Sequence, residues 1–406
     1  MSAERPRVAF VVQRCGEDIA GGAESLCLQT AAHMRDAWDV EILTTCARDA
    51  RTWSDAYPAG PTQIAGVPAR RFSVPEPRDP PAFDRLSRGV ARGGAGRERE
   101  VAWMRAQGPY APGLVAHLEE AGSAYDRVFF YSYLYATTFF GLPPVRERSV
   151  LVPLAHEEWM LGLALFDETF AAAAAFAFVS EEERALVERR FPHVRDATQR
   201  LCSIGIDPPE ADGARFRAKY GLGAGEIFLS VGRVEEAKGT SELIDYFSIL
   251  QAADPRPRTL VLVGPIGMTV PERPDIVALG RLDDADKWDA LAAATVVCVS
   301  SAFESLSLVS LEAWSVGTPV LANGASAVLI GQCRRASGGL WYANAAEFVE
   351  LGRTGMLGRA EALGNAGRSY VREHYTWDRV RAALDELLSA KPGAGPARPE
   401  GERESS

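Results

Sequence analysis

The chain of 406 residues lacks several features that would define a simple class of protein. Its six cysteines are scattered and form no C-x-x-C pair, so we expect neither a disulfide framework nor a zinc site. The net charge of −10 disfavours a nucleic-acid binder that works through a broad basic surface. The longest apolar run, residues 170–179, is about half the length needed to span a bilayer. No secretory apolar segment follows Met1, and we expect a cytoplasmic protein with reduced, mostly buried thiols.

The length and the hydrophobic content of 47% are sufficient for two domains with a core each. We expect the first domain at 1–206, the second at 207–370, a terminal helix at 371–390 and a disordered, Pro- and Gly-rich tail at 391–406. The strands expected in the second domain lie near 227–231, 259–263, 276–279, 295–299 and 318–321. Because helical segments separate these strands, the pattern indicates a parallel sheet covered on both faces.

The stretch at 300–320 contains the first candidate site. After the apolar strand at 295–299, Leu308, Leu311 and Trp314 recur at helical spacing. Glu304 would lie in the loop before this helix and Glu312 in its early turns. A helix N-terminus favours an anion, through its unpaired amides and its dipole. The amides expected there are those of Ser305, Leu306, Ser307 and Leu308. The arrangement suits a nucleotide sugar, although two solvated glutamates fit this spacing equally well.

A cationic element upstream strengthens the first interpretation. The strand at 227–231 ends at Gly232, Arg233 follows, and Lys238-Gly239 opens the next helix. Arginine offers phosphate a planar fork of donors, and lysine offers it a compact charge. Both would stand at the carboxyl end of a strand, where open parallel sheets bind ligands. Alone they could be two surface cations, but the two-glutamate segment about 65 residues later makes the combination much more specific.

These motifs resemble those of the retaining family 4 glycosyltransferases. The matching parts are Val231-Gly-Arg233…Lys238-Gly, Glu304 with seven residues before Glu312, Leu279-Gly-Arg-Leu282 and Gly21-Gly-Ala-Glu24. The resemblance implies the GT-B fold, which is α/β: two Rossmann-like parallel-sheet domains face a cleft, and the C-terminal helix crosses back to the first domain. It implies an acceptor-binding first domain and a donor-binding second domain, with transfer that retains the anomeric configuration.

The resemblance also implies roles for further residues. Gly21 and Gly22 would allow close approach of the donor, although a Gly-Gly pair usually marks only a tight turn. The backbone around Arg281 and Leu282 would contact the nucleobase. His156 follows the strand expected at 149–154 and resembles the histidine placed near the anomeric carbon, but a structural histidine is an equal alternative.

The chemistry expected is transfer of a sugar from a nucleotide-diphosphate sugar to an unidentified sugar, lipid-linked sugar or small-molecule acceptor. Arg233, Lys238 and the helix N-terminus would stabilise the departing diphosphate, and Glu304 would hold sugar hydroxyls. No carboxylate pair stands out as a metal site, so we expect no metal and no cofactor. Two alternatives remain open: a nucleotide-sugar epimerase of the same fold, and a non-catalytic nucleotide-sugar-binding protein.

Two segments have no assigned role. Residues 48–112 are expected to be the least regular part of the chain. Within them, the stretch from Arg85 to Arg105 contains six arginines and two glutamates. This is either a solvated face or a docking patch for an anionic acceptor or membrane headgroups, and Trp103 and Met104 could assist docking or lie in the core. After Asn323 the sequence departs from the family pattern. Gln332, Arg334 and Arg335 could line the donor or acceptor side, or form a surface loop.

Overall fold

The computed structural model describes residues 5–19, 21–356 and 358–390, which fold into two α/β units. One unit contains the residues up to Ser203 and those from Arg381, and the other is Ile204–Val380. The first domain was expected to end at residue 206, and the contact-based division of the chain falls between Ser203 and Ile204. The disordered tail expected at 391–406 lies outside the described residues.

The first unit is built on an eight-stranded sheet of order β3-β4-β2-β1-β5-β6-β7-β8. All neighbouring strands are parallel except β3 and β4, which form an antiparallel hairpin. Every residue of β5 is buried, as expected for a central strand with helices on both faces. The strands are β1 (Arg7–Val11), β2 (Asp39–Thr45), β3 (Gly60–Ile64), β4 (Val67–Phe72), β5 (Arg127–Tyr131), β6 (Ser149–Val152), β7 (Ala175–Phe178) and β8 (Thr198–Leu201).

Helices connect these strands, and local capping signals set their ends. At the start of α7, Ser180 Oγ accepts from the Glu183 N–H, and three glutamates in the first turn complement the helix dipole. The helices are α1 (Gly22–Met34), α2 (Pro80–Ala91), α3 (Arg97–Gln107), α4 (Pro112–Ala121), α5 (Ala136–Gly141), α6 (Leu165–Ala172) and α7 (Glu181–Arg190).

The segment expected to be least regular, residues 48–112, is largely ordered secondary structure. Two prolines occupy the first turn of α2, where a missing N–H costs nothing, and Asp79 caps that turn. Trp103 and Met104 are fully buried, so both belong to the core. These two prolines therefore begin the helix rather than interrupt it.

The second unit has a six-stranded sheet of order β11-β10-β9-β12-β13-β14, parallel throughout. The five expected strands are present, and β14 is an addition. The strands are β9 (Glu226–Val231), β10 (Arg258–Val263), β11 (Ile276–Gly280), β12 (Val296–Val299), β13 (Val320–Asn323) and β14 (Gly339–Tyr342). The helices are α8 (Gly213–Tyr220), α9 (Thr240–Ala253), α10 (Asp284–Ala293), α11 (Leu308–Ser315), α12 (Ala327–Ala336), α13 (Ala345–Glu350) and α14 (Ala360–His374).

The last helix, α15 (Trp377–Ser389), returns the chain to the first unit. The Trp38 indole donates to an Asp385 carboxylate oxygen at 3.1 Å, and the Arg127 Nε donates to the Leu387 carbonyl at 3.2 Å. These contacts anchor the end of the helix beside β1, β2 and β5. The terminal segment expected as one helix at 371–390 is thus the end of α14 followed by α15.

All six cysteines are buried, and no disulfide joins any of them in the described part of the chain. None of the helices in the described ranges has both the length and the apolar content to cross a bilayer.

Candidate donor site

Three predicted donor residues of the second unit lie where the order of its strands reverses. From β9 the chain proceeds to β10 and β11, then returns across the sheet to β12, which pairs with the other side of β9. Open parallel sheets bind ligands at such a switch point, outside the carboxyl ends of the strands. Arg233 and Lys238 follow β9, and Glu304 follows β12.

Lys238 and Glu304 are in direct contact, with the ammonium nitrogen 2.8 Å from a carboxylate oxygen. The loop that carries Lys238 is fixed to the end of β12, since Ser300 Oγ donates to the Lys238 carbonyl at 2.7 Å. Gly239 has a φ of +70°, and a Cβ there would clash with the Ser300 carbonyl oxygen. Glycine is therefore required after the lysine for both conformation and space.

Arg233 is the more exposed of the two predicted cations. Its guanidinium is 2.8 Å from Glu235, and 56% of its side chain is accessible. Glu235 is itself held by its backbone, which donates to Thr240 Oγ1 at 3.3 Å. The cation predicted to bind phosphate is thus held by a carboxylate that the motif comparison did not single out.

The helix expected to begin around Ser305 begins later. Ser307 is the N-cap of α11, and its Oγ accepts from the Ser310 N–H at 3.3 Å. Ser305 and Leu306 therefore precede the helix, and of the four predicted amides only those of Ser307 and Leu308 lie at its N-terminus. A small polar residue can cap a helix wherever its backbone is extended, and position 307 meets that condition here.

Glu312 lies in the second turn of α11 and pairs with Lys287, whose ammonium nitrogen is 2.9 Å from a carboxylate oxygen. Lys287 belongs to α10 and was not among the predicted site residues. No local motif marks it, because the pair depends on the packing of α10 against α11.

Gln332, Arg334 and Arg335 lie on α12 rather than in the surface loop considered as one interpretation. Ser326 caps this helix by accepting from the Leu329 N–H. Gln332 is fully buried, and its Oε1 accepts from the Ser307 N–H at 3.2 Å. Arg334 lies over the Trp341 ring at 5.2 Å.

The turn predicted to contact the nucleobase follows β11. Gly280 has a φ of +69°, a conformation that favours glycine, and its carbonyl accepts from the Gly264 N–H at 2.8 Å. Arg281 is exposed and Leu282 is half-buried. The neighbouring carboxyl end of β10 thereby fixes this turn.

In the first unit, Gly21 is the N-cap of α1 and Gly22 its first residue. A Cβ at Gly21 would clash with the Glu24 side chain, whereas one at Gly22 would meet nothing within 4 Å. Glu24 is buried and pairs with Arg14 at 2.6 Å. Gly21 thus leaves room for this buried ion pair, and Gly22 leaves open space.

His156 follows β6, in a turn whose backbone is hydrogen-bonded to the buried carboxylate of Glu183. Glu183 accepts from the Ala155 N–H at 2.8 Å and from the Val179 N–H at 2.7 Å. The Nδ1 of His156 is 3.4 Å from Glu158 Oε1, which also accepts from the Tyr133 hydroxyl at 2.8 Å. Burial raises the pKa of Glu158 to about 7, partly offset by the tyrosine hydrogen bond.

Within the described residues, no group of three or more His, Cys, Asp or Glu side chains could hold a metal ion. A D-x-D spacing does occur at Asp284 and Asp286, in the first turn of α10, although no carboxylate pair was expected. Asp286 accepts from Lys219 at 2.5 Å and from the Tyr220 hydroxyl at 2.7 Å. These contacts give Asp286 a structural role between α8 and α10.

Comparison with known proteins finds similarity in the part of the chain that contains this site. Residues 225–352 match the family model of the glycosyl transferases group 1. A D-inositol 3-phosphate glycosyltransferase of Segniliparus rotundus is 30% identical over 49% of this chain and 47% of its own length. A mannosylfructose-phosphate synthase of Agrobacterium fabrum is 26% identical over 50% of this chain and 46% of its own length. The chain thus spans about half the length of these curated relatives.

Solved structures match over nearly the whole chain. Sucrose-phosphate synthase from Thermosynechococcus elongatus superposes with a TM-score of 0.67 at 19% identity, over 94% of this chain and 98% of its own. Anabaena HepE in complex with UDP and glucose gives a TM-score of 0.65 at 15% identity, over 95% and 100%. These similarities confirm the fold class. The chain therefore has the GT-B fold, and its residues 225–352 match the family model of the glycosyl transferases group 1.

Proposed function

We propose that the chain is a glycosyltransferase that moves a sugar from a nucleotide-diphosphate sugar to an acceptor. The observation that carries this proposal is the contact of Lys238 with Glu304 at the switch point of the second sheet. A cation for the diphosphate and a carboxylate for the sugar are the two groups that a bound sugar-diphosphate linkage needs side by side.

The catalytic task is stabilisation of the departing diphosphate. Breaking the bond between the sugar and the diphosphate builds negative charge on the leaving oxygen while the sugar becomes oxocarbenium-like. Arg233, Lys238 and the N-terminus of α11 supply positive charge and donors for that oxygen. Removal of one preorganised donor of this kind typically lowers the rate on the order of 10²–10³.

The remaining site residues hold the sugar and the nucleoside of the donor. Glu304 accepts from sugar hydroxyls, Glu312 accepts from the ribose, and the backbone at Arg281 and Leu282 contacts the base. We also propose that His156 contacts the sugar near the reacting carbon. Its fixed turn and its contact with Glu158 support a held orientation for the imidazole.

Names of similar proteins suggest which compounds to test first. One Anabaena HepE structure contains UDP and glucose, and an Escherichia coli trehalose-6-phosphate protein contains UDP-2-fluoro glucose, so UDP-glucose is our proposed first donor. Inositol 3-phosphate and mannosylfructose-phosphate appear in the names of the curated relatives, so we propose a phosphorylated sugar or polyol as the first acceptor class.

We propose retention of configuration and independence from metal ions. We assign Glu304 to sugar hydroxyls rather than to nucleophilic attack, so the acceptor would arrive on the face that the diphosphate leaves. Proton NMR of the product would reveal the anomeric configuration through its coupling constants. Rates with EDTA and with added Mg²⁺ should agree, and a loss of activity on chelation would contradict metal independence.

We propose that the chain acts in the cytoplasm, without membrane contact through its arginine-rich helices. Trp103 and Met104 are in the core, and Arg97 forms a bidentate pair with Glu168 at 2.6 and 2.7 Å. These contacts favour a solvated face. Co-sedimentation with anionic vesicles at low salt should be negative, and salt-sensitive binding would support the docking alternative.

The test of the proposed function is a thermal-shift panel of nucleotide-diphosphate sugars, followed by transfer assays with the donor that stabilises most. A ligand at 100 times its dissociation constant adds about 2.7 kcal/mol of stability. Lys238→Ala should abolish transfer. The control Lys219→Ala removes the lysine of another lysine–carboxylate pair and should leave transfer intact. NMR of the donor incubated with the protein alone tests the first alternative, since interconversion of the sugar indicates an epimerase. Donor binding without turnover in the presence of every acceptor tested indicates a non-catalytic protein.

A further inference from the structure

Gln332 is a polar residue in a fully buried position. It lies in the middle of α12, and none of its side-chain surface is accessible. Its Oε1 accepts from the Ser307 N–H at 3.2 Å. The orientation of the amide is unambiguous, because an N–H can pair with the oxygen of the amide but not with its NH₂ group.

This contact changes how the start of α11 can bind an anion. The first four N–H groups of a helix have no partner within it, and here they belong to Ser307, Leu308, Val309 and Ser310. The Ser310 amide donates to Ser307 Oγ, and the Ser307 amide donates to Gln332. In the described part of the chain, the amides of Leu308 and Val309 are therefore the pair left for a ligand.

The amide nitrogen of Gln332 has no hydrogen-bond partner among the described residues. Its Nε2 is buried and makes no hydrogen bond there. An unsatisfied buried donor of this kind costs about 1–3 kcal/mol, so methionine of similar volume would fill the space at a lower cost. Packing alone does not account for glutamine at this position, whereas the bond to Ser307 does.

We propose that Gln332 is a positioning residue for the donor diphosphate. By holding the Ser307 backbone, it orients the first turn of α11 so that the Leu308 and Val309 amides present their N–H groups to phosphate oxygens. This proposal rests on the proposed function, since it names the part of that site which binds the diphosphate. It replaces Ser305, Leu306 and Ser307 as the amides that contact phosphate.

The test uses Gln332→Met, which removes the acceptor, and Gln332→Glu, which keeps one. Cys333→Ala is the matched control, because Cys333 is buried on the same helix. Calorimetry with UDP, inorganic pyrophosphate and uridine separates the phosphate from the nucleoside. Gln332→Met should weaken UDP and pyrophosphate on the order of tenfold and leave uridine unchanged. Gln332→Glu should bind pyrophosphate progressively worse than wild type as the pH rises from about 5 to about 8, because its carboxyl ionises.

Each outcome decides the proposal. Equal losses of all three ligands in Gln332→Met, or unchanged affinities in a folded Gln332→Met, would overturn the positioning role. If that variant does not fold, a pH profile of Gln332→Glu parallel to that of wild type would overturn it equally. A wild-type protein that binds neither UDP nor pyrophosphate would instead overturn the proposed function, and the positioning role with it.

Discussion

The contact between Lys238 and Glu304 predicts a specific non-additivity. The two side chains lie 2.8 Å apart and neutralise each other, with 34% and 16% of their surfaces accessible. Replacing Lys238 by alanine removes a cation from the diphosphate and also leaves the Glu304 charge without its partner. The second effect opposes binding of an anionic donor, so Lys238→Ala should cost more than the lost attraction alone.

The magnitudes separate a structural role from a functional one. A partly exposed ion pair contributes roughly 0.2–1 kcal/mol to stability, so Lys238→Ala should lower the free energy of unfolding by no more than that. A cation about 4 Å from a phosphate charge contributes about 4 kcal/mol at an effective dielectric of about 20, and solvent access reduces this figure. We therefore expect kcat/KM for the donor to fall on the order of 10²–10³ while the fold remains intact.

The assay is a double-mutant cycle with Lys238→Ala, Glu304→Gln and the double variant. Calorimetric affinity for UDP should improve when Glu304→Gln is added to Lys238→Ala, and the coupling free energy should be about 1 kcal/mol or more. Lys219→Ala controls for the loss of a lysine from another carboxylate pair. Additive free energies, or a Lys238→Ala variant as active as Lys219→Ala, would refute the reasoning.

Three further predictions follow from the contacts of single glutamates. Glu235→Gln releases Arg233 from its pair, so UDP affinity measured by calorimetry should rise about twofold to fivefold; an unchanged affinity would mean that the diphosphate does not compete with Glu235. Glu312→Gln removes the acceptor proposed for the ribose, so UDP should bind about tenfold more weakly and pyrophosphate equally well, and a matching loss for pyrophosphate would contradict the ribose role. The pKa of Glu158 rises from 4.5 to about 7 on folding, so the folded state binds the extra proton and wild-type stability falls as pH rises through that window. Glu158→Gln should lack this fall, of about 3 kcal/mol, in urea unfolding at a series of pH values, and parallel stability curves would argue against it.

The elements that position the site could be predicted because local signals agree with the fold. The strands of the second sheet are apolar runs, as parallel strands buried on both faces must be. Gly239 and Gly317 have positive φ and stand where a helix begins or has ended. A chain of parallel strands then brings their carboxyl ends to one edge, which is why residues distant in sequence could be assigned to one site.

The first unit contains elements for which the local signal was weak. In the β3–β4 hairpin, Ala65 and Gly66 both have positive φ, the geometry of a tight two-residue turn, but alanine seldom marks such a turn. Strand β3 lies at the sheet edge and is mostly exposed, so it lacks the apolar run that revealed the central strands. Helices α2 and α4 were obscured by prolines that occupy their first turns.

Partner choice within the site could not be predicted at all. Lys287 contacts Glu312 only because α10 packs beside α11. Gln332 contacts Ser307 only because α12 lies against the start of α11. Neither contact has a fixed spacing in the sequence. A motif identifies which residues can bind a ligand, but the helix packing decides which of their hydrogen bonds are already made.

Three cations of the donor site share one property: each forms an ion pair with a carboxylate. The pairs are Arg233 with Glu235, Lys238 with Glu304, and Lys287 with Glu312. We therefore propose that donor binding exchanges partners: Lys238 turns to the diphosphate and Glu304 turns to the sugar. A free diphosphate satisfies only the lysine, whereas the intact donor satisfies both side chains. In Glu304→Gln we expect the affinity for UDP-glucose to fall relative to the affinity for UDP, because the carboxylate is the group that binds the sugar. Calorimetry on this variant and on wild type measures both affinities. A ratio that is the same in both proteins would show that Glu304 pairs with Lys238 for structural reasons and has no part in holding the donor.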